Sequence, residues 1–316
     1  MAVVGMGGHG GPSHVSIMSE VQAMSGGGRG GWLKYGFVGP ALLLLIAMNI
    51  FPLVYSIFLS FTDADLVGGD WQGVGTRNYA ALFRAPQYGA ALRTTALFAV
   101  LAVGCELVLG FALALCLRDR FRLKPALLTL LLIPMMLPPA VMGIYWKLVL
   151  NGNYGILNQG FAALGLGQPQ WITDPGLKFF SMLMVEVWMW TPFMLLIGLA
   201  ALNAIPGYIY EAAAIDRASC WRVLCRITLP MCAPLLGLAV LLRATDALKQ
   251  FDLVMAFTGP NDAATQTLSA LLYQVMFRDG KVGLGTAYSY VVLVLVIALA
   301  SVFLRYLERL RQKGAA

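Results

Sequence analysis

The chain has 316 residues, of which 59% are hydrophobic and 12% charged, with a formal net charge of +7. A soluble domain carries about 25% charged residues, so a water-soluble enzyme is excluded at the outset and an integral membrane protein is expected. Two histidines and five cysteines leave little material for metal-centred or nucleophilic chemistry.

The first 31 residues hold ten glycines and both histidines, His9 and His14. They lack the short apolar core of a signal peptide and read as a flexible cytoplasmic tail, taken to residue 34. Charge-free gaps then place the spans. Lys34 to Asp63 encloses 28 uncharged residues, and Arg93 to Arg118 encloses 24 residues broken only by Glu106. Lys124 to Lys147 encloses 22, Lys178 to Glu211 encloses 32 broken only by Glu186, Arg226 to Arg243 encloses 16, and Lys281 to Arg305 encloses 23. Every gap but the fifth can cross a hydrocarbon core of ~30 Å as a helix rising ~1.5 Å per residue. The runs are continuously apolar rather than alternating, which excludes a membrane β-barrel.

The expected fold class is therefore an all-α membrane protein of six transmembrane helices over residues 35–308, closed by a short cytoplasmic tail over 309–316. Pro134, Pro138 and Pro139 interrupt the third span. They suit either a broken helix beside a cavity or looser packing between spans. The second half of the fifth span carries Arg243, Asp246, Lys249 and Asp252, so it must be shielded from lipid or lie near an interface.

Orientation follows from the basic residues of the connections. The N-terminal tail, 118–125, 203–230 and the segment from Arg305 together hold 13 Lys and Arg, against 5 in 62–92, 150–178 and 258–285. Both termini are expected in the cytoplasm. The positive net charge is explained by this bias and does not call for nucleic acid as a partner. No G-x-x-x-x-G-K-[ST] string is present, so ATP is not expected to bind here by a P-loop. Cys105, Cys116, Cys220, Cys225 and Cys232 are read as structural thiols, since their spacings fit no zinc site.

A charge at the bilayer centre costs ~2.5–3.5 kcal/mol on insertion scales, so each intramembrane charge needs a partner or a watery cavity. Arg243 with Asp246, and Lys249 with Asp252, are three apart and can meet on one helix face. On one reading they are self-neutralising pairs near the outer interface. On the other, Arg243, Asp246 and Gln250 form a polar stripe along a translocation path. Glu106 or Glu186 could instead pair with Arg243 across helices. Trp188, Trp190, Tyr145 and Trp146 could offer stacking faces to sugar rings, or could pack between spans.

Between the fourth and fifth spans lies Ile205-Pro206-Gly207-Tyr208-Ile209-Tyr210-Glu211-Ala212-Ala213-Ala214-Ile215-Asp216-Arg217-Ala218, ending at Ile227-Thr228-Leu229-Pro230. Pro206 suits a helix start and Glu-Ala-Ala-Ala favours helix. Two short helices joined near Asp216 would show a mixed apolar and charged surface to the cytoplasm, or would lie on the headgroups. This string resembles the EAA loop of binding-protein-dependent ABC importer permeases, read as E-A-A, three residues, glycine, nine residues and I-x-L-P. Glu211, Ala212, Ala213, Ile227, Leu229 and Pro230 stand at the required spacings, while Arg217 stands where the family has glycine. Softer resemblance to the sugar-importer branch, the maltose- and glycerol-phosphate-type permeases, comes from Gly75-Thr76-Arg77-Asn78-Tyr79 and Tyr154-Gly155-Ile156-Leu157-Asn158. Glu186-Val187-Trp188 with Thr191-Pro192-Phe193, and Gln250-Phe251-Asp252 with Thr258-Gly259-Pro260, point the same way.

The resemblance implies a type I importer permease with 203–230 as its coupling loop. It implies a second homologous permease, a dimer of ATPase subunits that hold ATP and magnesium, and an extracytoplasmic substrate-binding protein as partners. It implies Glu211, Ala212, Ala213, Asp216, Arg217 and Ala218 as the ATPase-coupling residues. A small-molecule carbohydrate is the expected cargo, with Arg243, Asp246, Gln250, Glu186, Trp188 and Tyr145 as candidates for its path, and no catalytic or metal residue. Three rivals remain at this point. One is an ABC permease for a non-sugar solute. Another is an ion-coupled secondary transporter using Glu106, Glu186 and Asp246. The third is an amphipathic-loop scaffold without transport.

Overall fold

The structure, a computed structural model, describes residues 29–119 and 121–314. The glycine-rich stretch to residue 28, with His9 and His14, lies outside them. Helix α1 runs Arg29–Ser60, so residues 29–34, assigned to the tail for their glycines, are helical. Trp32 and Leu33 extend the apolar run in that direction. Two polar side chains of α1 bond back into its own backbone, as suits a lipid environment: Asn49 Nδ2 donates to the Leu45 carbonyl at 2.8 Å and Ser56 Oγ to that of Leu53 at 2.9 Å.

The rest of the chain forms one compact helical unit. Short α2 (Arg77–Arg84) leads into α3 (Pro86–Cys116), and α6 (Ile156–Ala163) precedes α7 (Pro175–Asn203). Among the described residues five helices are long and apolar enough to cross a membrane: Val38–Ser60, Pro86–Cys116, Pro175–Asn203, Cys220–Leu248 and Val282–Arg305. The third expected span is not a continuous helix. It divides into α4 (Lys124–Leu132), a 3-10 turn at Pro134–Met136 and α5 (Pro139–Val149). Each proline removes a backbone donor, and Pro138 is extended at φ −62°, ψ 134°.

The fifth span is longer than its 16-residue charge gap suggests. Helix α9 (Cys220–Val223) continues through a π turn at Leu224–Thr228 into α10 (Leu229–Leu248). Arg222 and Arg226 extend the helix beyond the apolar core, so a charge gap measures the lipid-facing length and not the helix. For the same reason α13 (Val282–Gly314) passes residue 308, where the membrane domain is expected to end. Residues 308–313 (Glu-Arg-Leu-Arg-Gln-Lys) are strong helix formers.

Helices α3 and α7 form the axis of the unit. A Cβ on Gly110 would come within 2.9 Å of both the Leu195 nitrogen and the Thr191 oxygen, so glycine is what lets these two backbones approach. Three buried clusters draw on both helices, and two of them lie toward opposite ends of the axis. One joins Phe98 and Ala102 of α3, Met182 and Val185 of α7, and Leu253 and Phe257 of α11 (Asp252–Phe257). The other joins Phe111, Ala114 and Leu117 to Leu195, Leu199 and Leu202, with Cys232 and Leu236 of α10.

At the end bearing the first cluster, polar contacts tie the connections together. Asn158 is 1% exposed; its amide donates to the Gly152 and Pro169 carbonyls at 2.9 Å and accepts from Trp171 Nε1 at 2.6 Å. Lys178 bonds Asp262 at 2.6 Å. The amide of Leu268, which opens α12 (Leu268–Tyr273), donates to Thr95 Oγ1 of α3 at 2.9 Å.

Candidate functional site

Two places in this frame carry chemistry. The first lies inside the bundle, between these two apolar clusters. Glu106 projects from α3, Glu186 from α7 and Arg243 from α10, with residue exposures of 0, 1 and 2%. Arg243 donates through Nε to Glu106 Oε2 at 2.9 Å and through Nη2 to Glu106 Oε1 at 3.0 Å, a bidentate fork. The same Nη2 donates to Glu186 Oε1 at 2.8 Å, and the Gln250 amide donates to Glu186 Oε2. The guanidinium carbon lies 4.3 Å from the ring centroid of Trp190. Planar, five-donor arginine is the side chain able to serve two carboxylates and an aromatic face at once.

Both carboxylates left open by the sequence therefore hold Arg243, and the pairing expected within the fifth span is not formed. Helix α10 ends at Leu248, with Lys249 as its cap, so Lys249 folds back onto Asp246 at 3.5 Å. Asp252 instead opens α11. The side chains of Asp246 and Lys249 are 58 and 56% exposed. The polar stripe is thus divided: Arg243 points into the bundle, while Asp246, about 60° further round the helix, reaches the exposed side. With Asp246 on the outside, the three carboxylates of the ion-coupled rival do not share a path.

The candidate aromatics also divide. Tyr145, Trp146 and Trp188 form an edge-to-face run, with ring centroids 6.4 and 5.3 Å apart. Tyr145 and Trp188 are exposed, and Trp188 borders an open groove of about 850 Å3 between α3, α7 and the broken third span. That groove is lined almost wholly by apolar side chains, among them Leu109, Leu130, Met184 and Leu195. The structure thus brings Glu186, Arg243 and Gln250 together with Glu106 and Trp190, and leaves Tyr145 and Trp188 on a separate surface.

The second place is the connection between α7 and α9. Helix α8 spans Gly207–Ile215, preceded by extended Pro206. Its inward face is anchored three ways. Ala213 is buried, Ile209 and Tyr210 pack on the second apolar cluster, and Arg118, just past α3, lies 3.9 Å over the Tyr210 ring. The Tyr210 hydroxyl meets Thr228 Oγ1 at 3.2 Å. The sequence reading misses Tyr210, Arg118 and Thr228, although the i, i+4 pair Ile209 and Ala213 marks the buried face.

The outward face holds Tyr208, Glu211, Ala212 and Ile215 at i, i+3, i+4 and i+7, all exposed. Among the described residues Glu211, Asp216 and Arg217 have no ion pair. The turn closes with the Ala218 amide on the Ala213 carbonyl at 3.0 Å and the Arg217 amide on that of Ala214 at 3.1 Å. This is the 6→1 and 5→2 pattern of a Schellman turn. It places Arg217, not Asp216, in the left-handed region, at φ 47°. Ser219 then caps the next helix by accepting from the Arg222 amide.

Residues 106–313 match the family described as binding-protein-dependent transport system inner membrane component. The chain is 33% identical over 273 residues to the trehalose/maltose transport system permease protein MalF of Thermococcus litoralis, covering 86% of this chain and 92% of that one. It is 31% identical over 274 residues to the trehalose transport system permease protein SugA of Mycobacterium tuberculosis (86% and 88% covered). It is 30% identical over 288 residues to the sulfoquinovosyl glycerol transport system permease protein SmoG of Agrobacterium fabrum (88% and 93%). In fold it is similar to a chain of a bacterial ABC transporter for the acidic polysaccharide alginate, with TM-score 0.77 and 19% identity over 93% of this chain and 99% of that one.

Proposed function

The chain belongs to the family of binding-protein-dependent transport system inner membrane components, and on that premise we propose that it is one membrane-spanning subunit of an ATP-driven importer whose cargo is a carbohydrate. The cargo class rests on relatives named for trehalose, maltose and sulfoquinovosyl glycerol. Its partners on this reading are a second homologous permease, a pair of ATPase subunits that hold ATP and magnesium, and an extracytoplasmic binding protein. Both termini and α8 face the cytoplasm.

The observation that carries the coupling role is the two-sided construction of α8. One face is bonded to the ends of α3 and of the α9–α10 span through Arg118 and Thr228. The other face leaves Glu211 and Ile215 exposed, and nothing in the lipid needs such a surface. A helix held in this way moves as a rigid body, so a push on its outer face is delivered to two spans together. Glu211 makes a charge-assisted contact with the ATPase, Ala212 allows close approach, and Asp216, Arg217 and Ala218 form the tip. The buried triad joins α3, α7 and α10 inside the bundle so that they tilt as one block. Arg243 and Glu186, bonded to each other and to Glu106 and Gln250, act as that joint and do not offer contacts to the solute. Tyr145 and Trp188 remain as exposed aromatic faces on which a sugar ring can stack.

Co-purification from the native membrane in mild detergent tests the reading. A second permease and a P-loop ATPase in stoichiometric amounts are expected, as is loss of ATP-dependent sugar uptake in Glu211→Ala. A lone chain that moves solute without ATP would overturn it.

A further inference from the structure

The turn after α8 uses a backbone position that ordinarily goes to glycine and fills it with arginine. The Schellman closure requires a left-handed residue at the position of Arg217, and no other non-glycine residue among those described has a positive φ. A side chain with a Cβ is strained there, yet the chain gives this one nothing in return. Arg217 is exposed, and no hydrogen bond, ion pair or ring contact holds its guanidinium among the described residues. Local strain without an internal counterpart points to an external one.

The surroundings indicate what kind. Tyr208, Ile215 and Trp221 are 69, 82 and 73% exposed, a concentration of large apolar side chains beside the turn that suits a protein surface. We infer that Arg217 is a partner-recognition residue: its guanidinium forks onto a carboxylate of the ATPase subunit that docks on α8, a contact that a glycine-closed turn cannot make. This rests on the importer reading above and gives Arg217, within the tip, the specific role of setting which ATPase fits this permease. Arginine suits the task because its planar donors match a carboxylate in two parallel bonds.

The test uses the whole importer in nanodiscs of phosphatidylcholine alone, measuring ATPase retention against salt and thermal unfolding of the permease. Arg217→Gly relieves the backbone, so it is expected to unfold at a higher temperature than the native chain. Even so it should bind the ATPase about tenfold more weakly, with a shallower salt dependence, as loss of a close interfacial charge pair produces. Arg217→Lys keeps charge and strain and should lose less, while Arg217→Glu should lose most. If Arg217→Gly retains the ATPase as tightly as the native chain, the inference falls and the importer reading stands. If the loss appears only when anionic phosphatidylglycerol is added, the guanidinium serves a headgroup and the inference falls as well. A native complex that never retains an ATPase would remove the importer reading and this inference together.

Discussion

The buried triad and the turn after α8 are both made of carboxylates and arginine, and they are opposite in construction. In the triad Glu106, Glu186 and Arg243 are almost fully buried, and Arg243 serves both carboxylates. In the turn Glu211, Asp216 and Arg217 are exposed, and the backbone is strained at φ 47°. Burial explains the contrast. Where water is absent, an unpaired charge is too costly to keep, so the charges pair and the residues hold the fold. Where water is present, charges can stand unpaired at little cost until a partner arrives. The triad is therefore a place where substitution changes stability, and the turn, on the importer reading proposed above, a place where it changes coupling.

The sharpest way to break this contrast is Arg243→Leu. It would leave Glu106 and Glu186 facing each other without their cation, and removing one member of a buried ion pair typically costs ~3–5 kcal/mol. Denaturant titration in mixed micelles should show a loss of that size, or no folded protein at all; a change below about 1 kcal/mol would mean that water reaches the site. Gln250→Leu comes next. It strips the amide from Glu186 Oε2 and leaves a buried acceptor unmet, at about 1–3 kcal/mol by the same titration.

Tyr210→Phe stands between the two regions. The ring under Arg118 stays and only the bond to Thr228 is lost, so about 0.5–1.5 kcal/mol is expected. Sugar-stimulated ATP hydrolysis should fall more than basal hydrolysis if α8 drives the fifth span through this contact. The smallest effect on stability belongs to Glu211→Ala, within about 0.5 kcal/mol as for an exposed site, and with it comes the largest effect on uptake. If Glu211→Ala destabilised the chain as much as Gln250→Leu, the division between a holding region and a coupling region would be lost.

Much of this is legible in the chain. The charge gaps locate the membrane helices, and Pro134, Pro138 and Pro139 mark where the third one breaks. Glu211-Ala212-Ala213 and Ile227-x-Leu229-Pro230 mark α8 and the helix after it. The failures have two sources. Sequence proximity pairs Asp246 with Arg243, whereas Arg243 takes its partners from helices 137 and 57 residues away. The inner contacts of α8 are hidden in the same way, since the Tyr210 ring meets Arg118 across a stretch of chain that no periodicity records. The fifth span is underestimated for a different reason: basic residues end an apolar run without ending a helix.

Local terms suffice to establish a helical membrane protein, the positions of its helices, and the segment that carries the importer-type loop. Those terms are the length of apolar runs against a bilayer, the donors that proline removes, and residue identities at fixed spacing. Other outcomes belong to the packed molecule. Glu106 and Glu186 share Arg243, Asp246 faces outward, Tyr210 joins α8 to Arg118 and Thr228, and Arg217 rather than Asp216 takes the left-handed turn. The first three depend on how the helices rotate about their axes when packed together, and the last on how the turn closes between two anchored helices. Rotation is set by close approach at residues such as Gly110 and by the need to bury every charge with a partner, neither of which is a property of any one segment.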